Sequence, residues 1–176
     1  MSEWQYFVAD NVGPGSRNGR VEEYLKLAYH GQRAKDNGFT ADLVTHLDPA
    51  LGLVDVHPQD ISRVLLNLFN NAFYALRQQL ASAGADYQPT LTVRTERMGP
   101  RAIIRVQDNG TGMAEGVRQK VFQPFFTTKP TGQGTGLGLS LSYDVITNGH
   151  GGRIDVSSQE GQGTEFVIEL PAGPLP

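Results

Sequence analysis

The 176-residue sequence has no cysteine, so neither a disulfide framework nor a thiolate metal site is available to it, which is consistent with a reducing compartment. Its charges nearly cancel: 15 Lys and Arg against 18 Asp and Glu leave a net charge of -3, which gives no electrostatic case for nucleic acid as a partner. No apolar run approaches membrane-spanning length, and the N-terminus lacks the basic-then-apolar order of a signal peptide. A soluble, cytoplasmic chain without membrane contact of its own is expected. The four histidines, His30, His46, His57 and His150, are scattered without metal-ligand spacing. Two common phosphate loops are missing as well. No Gly-Lys-Ser/Thr occurs, and a G-x-G-x-x-G dinucleotide loop is interrupted because Leu139 stands where its third glycine belongs.

What the chain does have is concentrated between Val121 and Leu141, V-F-Q-P-F-F-T-T-K-P-T-G-Q-G-T-G-L-G-L-S-L. Aromatics open the stretch, Lys129 follows, and alternating glycines run into an apolar, helix-compatible segment near Leu137. Gly132, Gly134, Gly136 and Gly138 let backbone N–H groups approach an anion without Cβ atoms in the way, and a helix starting there adds its positive end. The same alternation also suits a plain surface loop. Two further motifs, Asn67 to Ala75 and Asp108 to Met113, supply what a loop cannot.

Taken in order, residues 1–20 lack sustained periodicity and read as a disordered or expression-derived leader. Apolar spacing predicts a short amphipathic helix from Val21 to Lys35. Asp36-Asn37-Gly38 makes a turn, Phe39 to Leu47 alternates as a strand does, and Leu53 to Val56 makes another short strand. The longest helix runs from Pro58 to about Ala83 with a core stripe of Ile61, Val64, Leu65, Leu68, Ala72, Ala75, Leu76 and Leu80. Asn67 and Asn71 lie one turn apart on one face of it, against helix propensity. Thr90 to Thr95 and Ala102 to Gln107 form a hairpin, and Asp108 shares the inner parity of Ile104 and Val106. A carboxylate there is costly without partners; a simple Asp-Asn-Gly turn is the plainer reading. A short helix over Glu115 to Val121, a helix from Leu137 to Thr147, a closing hairpin around Gly161 and Gly163, and a loose tail after Leu170 complete the order.

Together these motifs resemble the ATP-binding catalytic domain of a sensor histidine kinase. N-L-F-N-N-A-F-Y-A resembles the asparagine box, Asp108 to Met113 the first glycine box, F-Q-P-F-F-T-T-K the phenylalanine box, and G-T-G-L-G-L-S the second glycine box. Each is weak alone; the ordered set, spanning about Phe39 to Leu170, is specific. The resemblance implies a two-layer α/β sandwich with a mixed, mostly antiparallel sheet covered on one face by helices. It implies ATP and Mg²⁺ as cofactors. Asp108 would accept from the adenine amino group with Thr164 beside it, Asn71 with Asn67 would offer oxygen to Mg²⁺, and Lys129 would neutralise phosphate charge. Gly110, Gly112, Met113, Gly134, Thr135, Gly136, Leu137, Gly138 and Leu139 would line the nucleotide. Phe122, Phe125 and Phe126 would pack hinge and lid. Asn67 and Lys129 are the candidate catalytic side chains.

Relatives that hydrolyse ATP carry a glutamate one turn before the Mg²⁺-binding asparagine; here that place is Asn67, which takes no proton. Transfer to another protein group is therefore expected rather than hydrolysis. His30, in Y-H-G-Q-R, lacks the acidic neighbour of a phosphoacceptor histidine and stands close to the ATP-binding fold. The acceptor is expected on a preceding helical dimerisation domain, with residues 21–36 as the remnant of its joining helix and 37–171 as the ATP-binding domain. A response-regulator receiver domain would follow downstream, and the parent protein would be free or membrane-anchored. The alternatives are an ATP-sensing module that transfers nothing, an anti-sigma-type serine kinase, and a chaperone or topoisomerase ATPase.

Overall fold

In the computed structural model, which describes residues 5–7, 20–52 and 54–173, the elements are β1 (Gln5–Phe7), α1 (Arg20–Lys35), β2 (Asp42–His46), β3 (Val54–Val56), α2 (Pro58–Ser82), β4 (Thr90–Met98), β5 (Arg101–Asp108), α3 (Glu115–Arg118), α4 (Gly138–Asp144), β6 (Arg153–Gln159) and β7 (Gly163–Pro171). A π-helical turn, Val145–Gly149, continues α4. Five strands form one sheet in the order β2-β4-β5-β7-β6, with β2 parallel to β4 and every other pair antiparallel.

Alternation fixes which face is covered. Leu91, Val93 and Thr95 of β4, Ile104 and Val106 of β5, and Phe166, Ile168 and Leu170 of β7 are buried on the helix side. Their registers align Val93 with Val106 and Val106 with Phe166, so one apolar layer crosses three strands. The opposite face carries pairs such as Arg105 with Glu96 and Glu165.

α2 lies across the inner layer and buries Ile61, Val64, Leu65, Leu68, Phe69, Ala72, Phe73 and Leu76. Burying each large apolar side chain is worth roughly 1.5–3 kcal/mol, which outweighs the at most about 0.7 kcal/mol that each asparagine costs in a helix. Tertiary packing therefore overrides propensity here. The observed stripe differs from the expected one: Phe69 and Phe73 are fully buried, Phe73 meeting Phe39 edge-on at 6.2 Å, whereas Ala75 is only half-buried and Leu80, beyond the last buried residue Leu76, is exposed.

The expected elements are present, but the helix expected over Glu115 to Val121 covers only Glu115–Arg118. The tail expected to be loose is tied at Ala172, whose N–H donates to the Pro100 carbonyl, and at Gly173, whose carbonyl accepts from Arg97. Three larger differences follow. The strand expected from Phe39 begins only at Asp42, since Phe39 turns into the core. The helix expected over Leu137 to Thr147 divides into α4 and the π-helical turn, whose end is held by His150. His150 Nε2 accepts from the His57 backbone N–H at 3.0 Å, so its Nδ1 carries the proton donated to the Val145 carbonyl at 2.8 Å. Finally, the leader expected to be without structure carries β1, which pairs antiparallel with β3. The reason is backbone satisfaction: β3 lies outside the five-stranded sheet, and its N–H and C=O groups take β1 as partner. Residues 8–19 and the tail from 174 lie outside the described residues.

Candidate functional site

Between α2, the end of β5 and the stretch from Phe126 to Leu139 lies a cavity of about 340 Å³, within the size range of small-molecule sites. It brings together Asn67, Asn71, Asp108, Gly112, Met113, Lys129, Gly134, Thr135, Gly136, Gly138, Leu139 and Thr164, nearly every residue that the sequence singled out. Gly110 and Leu137 do not line it. Gly110 is pressed against the α2 backbone, where a Cβ would come within 2.6 Å of the Ala75 carbonyl carbon. Leu137 caps α4 and accepts from the backbone N–H of Leu141 at 2.9 Å.

One end of the cavity is set by the sheet. Asp108, paired in register with Thr164, is 6% exposed. Its carboxylate accepts from the backbone N–H of Gly110 at 2.8 Å and from that of Thr164. Burial nevertheless dominates and pushes its pKa up to about 7, those two hydrogen bonds pulling in the opposite direction. The Thr164 hydroxyl lies 2.9 Å from Ser158 Oγ, which also accepts from the Met113 backbone N–H at 2.8 Å. Gly112 has φ +63, and a Cβ there would run into the Gln159 carbonyl. This end presents a fixed acceptor beside an apolar wall that includes Met113, Val121 and Phe166. Such a wall suits a flat heterocycle whose exocyclic amino group donates to the carboxylate.

The other end lies about two turns away along α2, since Asn67 precedes Ala75 by eight residues, roughly 12 Å at 1.5 Å per residue. Asn67 donates from Nδ2 to Ser142 Oγ at 3.1 Å, and a Cβ at Gly138 would strike its Oδ1, so the start of α4 is packed directly on this asparagine. Asn71 Oδ1 accepts from Lys129 Nζ at 3.0 Å, and the same ammonium sits 4.7 Å from the centre of the Tyr74 ring. Burial lowers the Lys129 pKa from its ordinary value. The Asn71 carbonyl oxygen thus faces a cationic group, and neutral oxygen donors of this type could hold a hard divalent ion that takes further ligands from phosphate and water.

Above this end the chain from Thr127 to Gly136 has no regular structure and is mostly exposed. The Phe125 backbone, at φ 63, abuts Gly136, so the aromatic and glycine segments meet main chain to main chain. Phe122 packs on Tyr143 and Phe166, Phe126 lines the cavity, and Phe125 is 76% exposed. His30, on the outer side of α1, is exposed and does not line the cavity.

Sequence reasoning missed Tyr74, Thr111 and Gln133 among the lining residues, and Ser158 behind Thr164. For Tyr74 the signal was available: it lies three residues after Asn71 and so shares its helix face. Among the described residues no cluster of three or more His, Asp or Glu side chains forms a metal site, and no helix is long and apolar enough to cross a membrane.

Residues 56–174 match the family described as histidine kinase-, DNA gyrase B-, and HSP90-like ATPase. The chain is 40% identical over 119 residues to the sensor histidine kinase ZraS of Salmonella typhi, covering 67% of this chain and 23% of that protein. It is 34% identical over 175 residues to the signal transduction histidine-protein kinase AtoS of Escherichia coli strain K12, covering 98% of this chain and 25% of that one. The chain thus spans about a quarter of the length of these curated relatives. Among solved structures, the catalytic domain of histidine kinase ThkA in a nucleotide-free form superposes with a TM-score of 0.70 at 28% identity, covering 97% of both chains.

Proposed function

The chain belongs to the histidine kinase-, DNA gyrase B-, and HSP90-like ATPase family, and on that premise we propose that it is the ATP-binding catalytic domain of a sensor histidine kinase, donating the γ-phosphoryl group of ATP to a histidine on a helical dimerisation domain outside this chain. In this reading residues 37–171 are the ATP-binding domain and 21–36 the helix that joins it to the phosphoacceptor domain. A receiver domain of a response regulator takes the phosphoryl group next, and the reaction takes place in the cytoplasm.

Asp108 accepts the adenine amino N–H, and the Thr164 hydroxyl, tied to Ser158, fixes a polar atom beside it. A fixed acceptor favours adenine over guanine, because guanine presents a carbonyl at that place. Asn71 Oδ1, with Asn67 beside it, would hold Mg²⁺, which supplies charge neutralisation on the phosphates. Backbone N–H groups from Thr135 to Leu139 and the Lys129 ammonium hold the phosphate chain, and residues 126–136 cover it, keeping water away from the γ-phosphoryl group.

The observation that carries this reading is the chemistry at Asn67. Among the residues lining the cavity the only carboxylate is Asp108, at the adenine end. The phosphate end has two asparagine amides and a lysine, with no general base to activate water. The nucleophile and any base beside it are therefore supplied by another domain.

Incubating the chain with Mg²⁺ and γ-labelled ATP, alone and with a separately made histidine-bearing helical domain, tests this. Acid-labile label on the added domain only is expected. Steady release of free phosphate by the chain alone would instead indicate a hydrolase, label on the chain itself would mean that His30 or another residue of the chain is an acceptor, and bound ATP with no label anywhere would favour a sensing module.

A further inference from the structure

We infer that Tyr74 is a positioning residue whose ring holds the Lys129 ammonium on the Asn71 carbonyl oxygen, so that lysine and divalent cation compete for one oxygen. Three residues that are separate in sequence converge here. Tyr74 and Asn71 are three apart on α2 and present ring and amide to the same space. Lys129, arriving from the lid, makes both contacts at once, 3.0 Å to Asn71 Oδ1 and 4.7 Å to the ring centre. No ion pair among the described residues involves Lys129, although its side chain is half-buried. The ring and the amide oxygen are what replace the water removed from this ammonium.

The arrangement does two things. It gives the Asn71 oxygen a hydrogen-bond donor, and it ties the lid to α2 through its single lysine. When Mg-nucleotide enters, Lys129 leaves the oxygen for a phosphate, so lid rearrangement and metal ligation become one exchange. The inference rests on the reading of Asn71 as a metal ligand.

The test uses the full chain and its Tyr74→Leu and Tyr74→Phe variants. A ring 4.7 Å away shifts the Lys129 ε-methylene protons upfield, which NMR detects in the nucleotide-free protein. Mg-ADP should abolish that shift, Tyr74→Leu should lack it from the start, and Tyr74→Phe should keep it. In parallel, ADP affinity is titrated against Mg²⁺. Tyr74→Leu should lower the Mg²⁺ midpoint by about threefold to tenfold, the scale of a partly desolvated ammonium-ring contact, and Tyr74→Phe should restore it. An unshifted Lys129 signal in the unmodified chain, or an unchanged midpoint in Tyr74→Leu, would overturn the inference while leaving the metal reading intact. If Mg²⁺ fails to strengthen ADP binding in the unmodified chain, the metal reading falls and the inference with it.

Discussion

Asp108 and Thr164 sit on paired neighbouring strands, buried, with their polar atoms engaged by backbone and by Ser158, whereas residues 127–136 reach the same cavity through exposed turns and one lysine. Two turns of α2 separate an end held by strand pairing from one reached by exposed turns. Precision in the sheet suits an invariant base, and loose attachment suits a polyphosphate that has to enter and leave. On the proposed reading, recognition is built into the fold and closure is left to the ligand.

The sharpest way to break this contrast is to place the same change at each end. A Cβ at Gly112 has φ +63 against it and the Gln159 carbonyl in its path, so Gly112→Ala should cost several kcal/mol, roughly 2–4, and abolish nucleotide binding. Gly132 also has positive φ, +85, but nothing within 4 Å, so Gly132→Ala should cost only about 1 kcal/mol and leave the melting of the sheet nearly unchanged. Thermal unfolding of the two variants checks the pair; equal losses would mean that the lid is as integral to the fold as the sheet.

Asp108→Asn should weaken ADP binding by about 10-fold to 100-fold, the scale of losing a charge-assisted acceptor. It should not lower stability at pH 8, because it removes a carboxylate whose charge is buried. Calorimetry and denaturant unfolding on one variant would then separate recognition from folding, an outcome no lid substitution should reproduce.

At Lys129 the expectation is smaller. Lys129→Met should weaken ADP binding by about threefold to tenfold, as loss of a partly solvated charge contact does, with the melting temperature unchanged. A loss as large as that for Asp108→Asn would place the main anchor at the phosphate end.

The pH dependence is milder still, and its sign is fixed. Because the folded-state pKa of Asp108 is raised to about 7, above the unfolded value near 3.8, the folded chain binds the proton more tightly. That contribution to stability is present below about pH 4, is lost as pH rises toward 7, and is flat above. Nucleotide binding favours the ionised acceptor, so affinity should fall as pH drops below 7 in the unmodified chain and lose this component in Asp108→Asn. Parallel profiles for the two proteins would contradict the assignment of the acceptor.

The same contrast explains what could be read from the sequence. Period-two alternation and a shared parity were enough to set Asp108 on the inner face of β5, and helical spacing put Asn67 and Asn71 on one face of α2. The glycine-rich stretch declared itself by composition. What stayed hidden depends on contacts across long separations. His57 and His150 meet 93 residues apart, Ser158 lies beside Thr164 across a strand pair, and β1 pairs with β3 although Tyr6 and Phe7 are the only strand-favouring signal in residues 5–7. Gly110 looked like part of a ligand loop, but its missing Cβ serves the approach of that loop to Ala75. Helical spacing put Tyr74 on the face of Asn71, but its partner Lys129 arrives from 55 residues further along the chain, so the contact itself was not legible.

The most direct test of a finished base end and a ligand-completed phosphate end is hydrogen exchange of the full chain with and without Mg-ADP. Amides of β5 and β7 around Asp108 and Thr164 should already exchange slowly without nucleotide, and those from Thr127 to Gly138 should be fast until it is added and then slow sharply. Fast exchange in those strands without nucleotide, or a lid whose exchange ignores nucleotide, would contradict the account.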